Sequence, residues 1–537
     1  MKTRTRVAAR RASLILLALA VLALAAVQPA QAAILTWNNG AANMQWDTAS
    51  TNWGGTTKWN NATPDSAIFG ATGVGTVSLT ENITVGALTF NTTGYKIDPS
   101  VNTLALKSGG DFSLTVASGV TAEMVSANIT NSAVTSDTIK TGLGTLVLSG
   151  TTSTLTKQIR LASGAISVSK IAALGSGNFK TYDGGTATNS TLLYTGSGET
   201  TSKAVLLDSN SSSYVFTLDQ SGAGLLKFTN FSVNNRAGKS NHTLVLKGSS
   251  TGSGEISSVI ANPGSLGQKV TKNGSNTWTL SGNNTYTGDT TINNGTLVAD
   301  HNSALGTGTT TINGGTLEVA ATRTITKAIT LTSGTLNVNG TINTGTLTLT
   351  AGTIKGSGTI GKAMTIGSGL TLSPGGSPGT LTVNNANETW ASGGKYFWQL
   401  LDATGTAGTG FDLTAVTGTG NLAVTATSGS PFNVVLQTLS STGPDVQGTP
   451  LNWFATVKQS WKIASSANDI TGWDVGDGVA SALFAIDATN FVGKLKGATF
   501  SVSKTNNDVF LNYVPEPATL ALLALGGLGL LLGRKRK

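Results

Sequence analysis

The chain has 537 residues, 68 of them Gly, with no Cys and only 11% charged residues; this excludes disulfides and thiolate metal sites and disfavours long helices. An apolar content of 39% is too high for a disordered chain of this length. The net charge of +9 is carried by the ends, at Lys2, Arg4, Arg6, Arg10 and Arg11 and at Arg534, Lys535, Arg536 and Lys537, so the neutral remainder offers no electrostatic footprint for nucleic acid.

Residues 1–32 have a basic start, an apolar run from Leu14 to Val27, and Ala30-Gln-Ala32 ahead of Ala33. That pattern predicts a signal peptide cut by signal peptidase at an A-x-A site. The alternative is an uncleaved anchor, but the run would span only about 21 Å as a helix against a hydrocarbon core of roughly 30 Å. Arg10-Arg11 also permits a twin-arginine route.

Residues 33–100 open with Trp37, Trp46, Trp53 and Trp59. A stacked β-structure needs its open end closed, and bulky rings suit an N-terminal β cap. A sugar-binding aromatic platform is the functional alternative.

Residues 101–390 read as repeats. A short phrase recurs as Ile292-Asn-Asn-Gly295-Thr-Leu297, Ile312-Asn-Gly-Gly315-Thr-Leu317, Leu331-Thr-Ser-Gly334-Thr-Leu336 and Ile342-Asn-Thr-Gly345-Thr-Leu347, with Leu349-Thr-Ala-Gly352-Thr-Ile354 overlapping the last. After each Gly-Thr the chain alternates, placing Leu297 and Ala299, Leu317 and Val319, Leu336 and Val338, and Leu347 and Leu349 on one predicted buried face. Each Gly marks a predicted corner. A unit this small buries its apolar face only by stacking on its neighbours, so the fold class is an all-β solenoid. An earlier stretch repeats the pattern. Lys140-Thr-Gly-Leu-Gly-Thr-Leu mirrors Lys272-Asn-Gly-Ser-Asn-Thr-Trp, and Leu174-Gly-Ser-Gly177 mirrors Leu305-Gly-Thr-Gly308. The duplicated units lie near 140–177 and 272–308.

Thr277-Trp-Thr-Leu-Ser-Gly-Asn-Asn-Thr-Tyr-Thr-Gly288, followed by Thr291 to Leu297, resembles the autotransporter-associated β-strand repeat. The first copy lacks the Trp and the Asn-Asn-x-Tyr. Periodicity alone leaves a meander of hairpins open; the resemblance implies a right-handed parallel β-helix of a bacterial surface protein. Ser373-Pro-Gly-Gly-Ser-Pro-Gly-Thr-Leu381 is expected to end the regular coils, because Pro cannot donate to a central ladder. Residues 391–513, with Tyr396-Phe-Trp398, Trp453-Phe454, Trp461 and Trp473, read as a smaller β-rich domain or cap. That stretch is too short for a membrane barrel of many strands, which is expected to shift the burden of sorting to the tail.

The tail, residues 514–537, runs Val514-Pro515-Glu516-Pro517, then an apolar stretch from Ala518 to Gly533, then Arg534 to Lys537. As a helix the stretch is about 24 Å, a marginal single transmembrane span, with the basic cluster holding it as a cytoplasmic stop. A plain anchor is one reading. The order of triplet, apolar run and basic end resembles the PEP-CTERM sorting signal. That resemblance implies processing near Pro515, Glu516 and Pro517 by an exosortase-type protease, in Gram-negative bacteria that make extracellular polysaccharide. The expected route is transient insertion in the inner membrane and release to the cell surface or matrix.

No catalytic constellation emerges, and no cofactor or metal site is predicted. The two His, His242 and His301, are expected to face solvent, and no G-x-S-x-G frames a nucleophile. The acids of the central repeats, Asp289, Asp300 and Glu318, occupy non-equivalent places, so no carboxylate pair is expected there. Asp469-Ile-Thr-Gly-Trp-Asp474-Val-Gly-Asp477-Gly478 is the densest acidic stretch; it offers calcium ligands or a solvated turn. The sequence points to a non-enzymatic adhesive or scaffolding protein with extracellular polysaccharide as a partner. The rivals are a β-helix polysaccharide lyase or glycosidase, which releases uronic acid or reducing ends, and an autotransporter-like passenger.

Overall fold

The structure is a computed structural model. It describes residues 32–516 apart from 136, 182–188, 209–213, 234–241, 250, 263–266, 344, 442–444, 475 and 481. Ala30 and the tail from Pro517, including Arg534 to Lys537, lie outside the described residues, as does the expected transmembrane segment; Ala32 and Ala33 are exposed. Among the described residues helix is confined to two 3₁₀ turns, Ser126–Asn128 and Ile171–Leu174, and none is long and apolar enough to cross a membrane. The described part of the protein is all-β. It forms two compact units, one ending at Tyr182 and the other starting at Asp183.

The first unit is built from parallel ladders on three faces. One runs Ile34–Trp37, Ser66–Phe69, Ala87–Phe90, Phe112–Val116, Thr138–Thr141, Ile159–Leu161, Phe179–Thr181. A second runs Gln45–Trp46, Thr76–Leu79, Lys96–Asp98, Thr121–Val125, Thr145–Ser149, Gly164–Val168. The third holds Ile83–Val85, Leu104–Ser108 and Ile129–Val134. Strand residues alternate in and out as period two requires; in Thr145–Ser149 only Leu146 and Leu148 are buried. The four expected plug residues are inside: Trp37, Trp46 and Trp53 are 0% exposed and Trp59 is 2%. Trp53 packs on Trp37, Trp46 and Trp59 at centroid distances of 5.1, 5.0 and 4.7 Å. Rings sealed this way have no face to offer a sugar. The strands of this segment already belong to the parallel ladders.

In the second unit the recurring phrase sets the rungs. Leu297 pairs with Leu317, Leu317 with Leu336, Leu336 with Ile354, and Ile354 with Leu372. Thr310–Val319 carries two faces, since its first residues pair with Thr290–Ile292 and its last with Thr296–Ala299.

Two expectations need correction. The overlapping phrases are not equivalent: the chain stacks Leu349 on Leu331 and Ile354 on Leu336, so the working corner is Gly352, at φ +120°. Ile342 turns instead to another face, between Ile325 and Ile360. Leu347 and Leu349 are consequently half-buried, and a Cβ on Gly345 would meet nothing. Nor does Ser373 to Leu381 end the coils. Pro374 closes Leu370–Pro374 where pairing reaches it from one side only, through Gly356, a local edge that tolerates a missing N–H, and parallel pairing continues to Lys395–Leu400, Phe432–Thr438 and Phe484–Asn490. The pattern changes at Gln459–Ser466, which pairs antiparallel with Asp508–Val514, itself antiparallel to Thr499–Thr505.

Candidate functional site: repeat corners, buried charges and the C-terminal groove

Both duplicated units place a lysine inside a corner. Lys140 is 1% exposed and Lys272 is 0%. The Lys140 ammonium donates to the carbonyls of Gly142, Gly144 and Ser163 at 2.7, 2.7 and 3.0 Å. Lys272 donates to Gly274 and Asn294 at 2.5 and 3.2 Å. Gly is required opposite each: Gly164 has φ +70° and Gly295 φ +66°, and a Cβ on either would sit 2.7 Å from the lysine Nζ. Burial pushes the Lys140 amine down to about 7 and that of Lys272 to about 8; the carbonyls oppose this by binding the charged form. These lysines tie successive coils together and leave no nitrogen free to act on a substrate.

The signature residues of the second copy are also internal. The indole of Trp278 lies over Gly254, where a Cβ would come within 2.5 Å of the ring, and its Nε1 donates to the Lys247 carbonyl at 3.0 Å. Asn284 accepts from the Ile260 N–H at 2.8 Å and donates to the Ala304 carbonyl at 2.7 Å. Tyr286 shares a 2.7 Å hydrogen bond with Thr290.

The outside of the same rungs is hydroxyl-rich. Thr277, Thr296, Thr316, Thr335, Thr353 and Thr371 stack in register. Thr271, Thr291, Thr311, Thr330 and Thr348 form a second column. Every member of both is half-buried or exposed.

The acids of the repeats stay apart. Asp289 accepts from the Thr309 N–H at 3.1 Å, Asp300 pairs with Arg323 at 2.9 Å, and Glu318 accepts from Asn339 at 3.3 Å. His301 is half-buried and accepts from the Ser303 N–H at 3.0 Å. His242 corrects the expectation of a solvent-facing ring: it is 2% exposed, with its ring 6.0 Å from that of Tyr214, because it leads directly into Thr243–Lys247, which stacks between two other strands.

Among the buried carboxylates of the second unit that sequence reasoning missed, two are completely enclosed. Glu388 accepts from Trp390 Nε1 at 2.7 Å and Thr414 Oγ1 at 2.6 Å, and burial pushes it up to about 7. Asp412 accepts from the N–H groups of Gly379 and Gln399, both at 2.9 Å, and burial raises it well above the usual carboxylate range. Both are 0% exposed, so neither meets a glycan. No local sequence pattern marks them.

At the C-terminal end an open groove of about 670 Å³ is lined by Ser460, Asp477, Ser501, Lys504, Asn512 and Val514, among others. Asp477, from the acidic stretch weighed as a calcium site, bonds to Lys504 at 2.7 Å and accepts from the Asn506 N–H at 3.3 Å; the Lys504 bond holds it below the usual range. Among the described residues no three His, Cys, Asp or Glu cluster as metal ligands. The groove presents hydroxyls, amides, Lys458 and the Asp477–Lys504 pair, and among the described residues its lining holds no second carboxylate to face Asp477 as a glycosidase pair would. Pro515 and Glu516 follow directly on its last strand.

Residues 514–537 match the model of the PEP-CTERM protein-sorting motif. The chain carries a PEP-CTERM sorting signal. Its repeats at 139–168 and 270–299 match the passenger-associated-transport-repeat, the two segments whose buried lysines are described above. Over 138 residues it is 39% identical to the "Adhesin BmaC autotransporter" of Brucella suis biovar 1 (strain 1330), a match covering 24% of this chain and 4% of that protein. The chain therefore spans a small fraction of that relative's length. The crystal structure of the Haemophilus influenzae Hap adhesin aligns with 86% of this chain and 65% of its own, at 11% identity and a TM-score of 0.17. PEP-CTERM signal and repeats together mark an exported, cell-surface protein, and the signal implies processing by exosortase.

Proposed function

We propose that this protein is a non-enzymatic adhesive or scaffolding component of the cell surface or extracellular matrix, built as a right-handed parallel β-helix and associated with exopolysaccharide. The observation that carries this reading is the pair of threonine columns. A long, nearly uncharged ladder of hydroxyls suits many weak hydrogen bonds to a polysaccharide and no reaction. Kinship with an adhesin supports the same reading. Residues 1–32 serve as signal peptide, 33–100 as N-terminal cap, 101–390 as repeats, 391–513 as a C-terminal β-rich domain and 514–537 as the sorting tail. The tail halts in the inner membrane, held by Arg534 to Lys537, until cleavage near Pro515-Glu516-Pro517 frees the folded part.

The test is fractionation of the tagged protein in its native host with intact mass of each form, and cosedimentation of the surface form with that host's exopolysaccharide. The surface form is expected to lack Leu520 to Lys537 and to bind. Changing Pro515, Glu516 and Pro517 to Ala is expected to keep the precursor mass. A surface form that retains the tail defeats the sorting claim, and loss-free behaviour after Thr296, Thr316, Thr335 and Thr353 are all changed to Val defeats the ladder as the binding face.

A further inference from the structure

The chain leaves its last strand through a patch of unusual composition. Tyr513 donates its hydroxyl to the Ala455 carbonyl at 2.8 Å and accepts from the Leu495 N–H at 3.3 Å. Gln459 pairs with Tyr513, and a Cβ on Gly497 would lie 2.8 Å from the Glu516 carboxyl carbon. These contacts gather residues 454–459 and 494–497 around the exit of the chain. The segments leave Phe454 60%, Val457 53% and Leu495 38% exposed, with Lys458, Lys494 and Lys496 exposed among them. The acids nearby are Glu516, over Gly497, Asp477, which shares the groove with Lys458 and is paired with Lys504 at 2.7 Å, and Asp487, held below the usual range chiefly by its hydrogen bonds with Thr489 and to a smaller extent by Lys494. Scattered apolar side chains on a surface are ordinary. Three of them interleaved with three lysines make the composition of a membrane-interface contact, with apolar groups at the acyl boundary and ammoniums among anionic headgroups.

Where the chain goes next names the occupant. By sequence the apolar run starts at Ala518, two residues after Glu516. Two extended residues reach at most about 7 Å, so a tail inserted in a bilayer draws this patch into the headgroup layer. We propose that Phe454, Val457 and Leu495, with Lys458, Lys494 and Lys496, dock the folded C-terminal end on the anionic surface of the bilayer that holds the tail. The docked patch keeps Pro515 and Glu516 at the membrane surface, the depth at which a membrane protease works. This rests on the reading of the tail as membrane-inserted before cleavage.

The absence of Cys makes the test direct. Full-length protein carrying one introduced thiol, as Val457→Cys, Leu522→Cys or Thr311→Cys, is labelled with an environment-sensitive fluorophore. It is then reconstituted in phosphatidylglycerol–phosphatidylcholine vesicles containing a lipid-borne quencher. The labels at 457 and 522 are expected to be quenched and that at 311 not. Adding Lys458→Glu, Lys494→Glu and Lys496→Glu together, or raising salt, is expected to lower quenching at 457 while 522 is unchanged, and a quenching at 457 indifferent to both overturns the docking. Phe454→Ser, at an exposed position, gives the same direction without reversing charge. Quenching at 522 with none at 457 overturns the docking surface and leaves the inserted tail standing. No quenching at either position overturns both. A label at 457 shielded from aqueous iodide yet not quenched from the lipid means the tail itself covers the patch, which also overturns the proposal.

Discussion

Replacing Leu317 by Asp probes the stacking that holds the second unit together. Leu317 is 0% exposed and sits between Leu297 and Leu336 on the adjoining rungs. Truncation to Ala alone removes buried methyls and leaves a cavity, at a cost of about 2–5 kcal/mol. Asp adds a carboxyl with no partner there. It either stays charged at greater cost or takes up a proton, at about 1.4 kcal/mol for each unit its pKa must rise. The total expected is above about 5 kcal/mol, enough to open the rung and its neighbours, because a stacked repeat is stabilised by the interfaces on either side. Thr316→Ala is the control. Its side chain belongs to the half-exposed threonine column, and its loss is expected within about 0.5 kcal/mol. Hydrogen exchange read by mass spectrometry on the full chain checks this. Leu317→Asp is expected to strip protection from Thr296–Ala299, Thr310–Val319 and Ile329–Val338, and Thr316→Ala to leave it. Equal loss in the two variants refutes the inward and outward assignment.

Two pH dependences follow from the buried charges, in different windows. Burial lowers the Lys140 amine from 10.5 to about 7, so between those values the unfolded chain binds the extra proton and stability rises with pH. Lys140→Met is expected to remove that rise and to cost about 1–3 kcal/mol for each carbonyl left without a donor; an unchanged slope in denaturation midpoint between pH 7 and 10.5 sinks the assignment. Glu388 behaves in the opposite sense: raised from 4.5 to about 7, its protonated form stabilises the fold fully below about 4.5, and up to about 3 kcal/mol is lost as pH climbs to about 7. Glu388→Gln keeps an oxygen acceptor for Trp390 and is expected to flatten the midpoint across that window; a slope equal to that of the parent chain argues against it. Processing at Pro515-Glu516-Pro517 and docking by the C-terminal patch are tested as described above.

The sequence by itself determined what is local. Alternation after each Gly-Thr makes strands, because side chains on an extended chain point to opposite faces in turn. The order Pro-Glu-Pro, apolar run, basic end specified the sorting tail without any fold. The tertiary structure decided what depends on the length of a coil. Ile342 to Leu347 and Leu349 to Ile354 satisfy the same pattern, and only stacking over Leu331 and Leu336 selects the second. Lys140 and Lys272 were visible as matching letters, yet their direction is set by carbonyls of their own corners, at Gly142, Gly144 and Gly274, together with one from the next coil, about 22 residues on. His242, read as facing solvent, and Glu388, marked by no local pattern, are buried by the rungs on either side: Glu388 lies between Met364 and Leu422, and His242 leads into a strand with a neighbour above and below. A strand pattern states which residues share a face. Which face turns inward, and what meets it there, is fixed only when the coils stack.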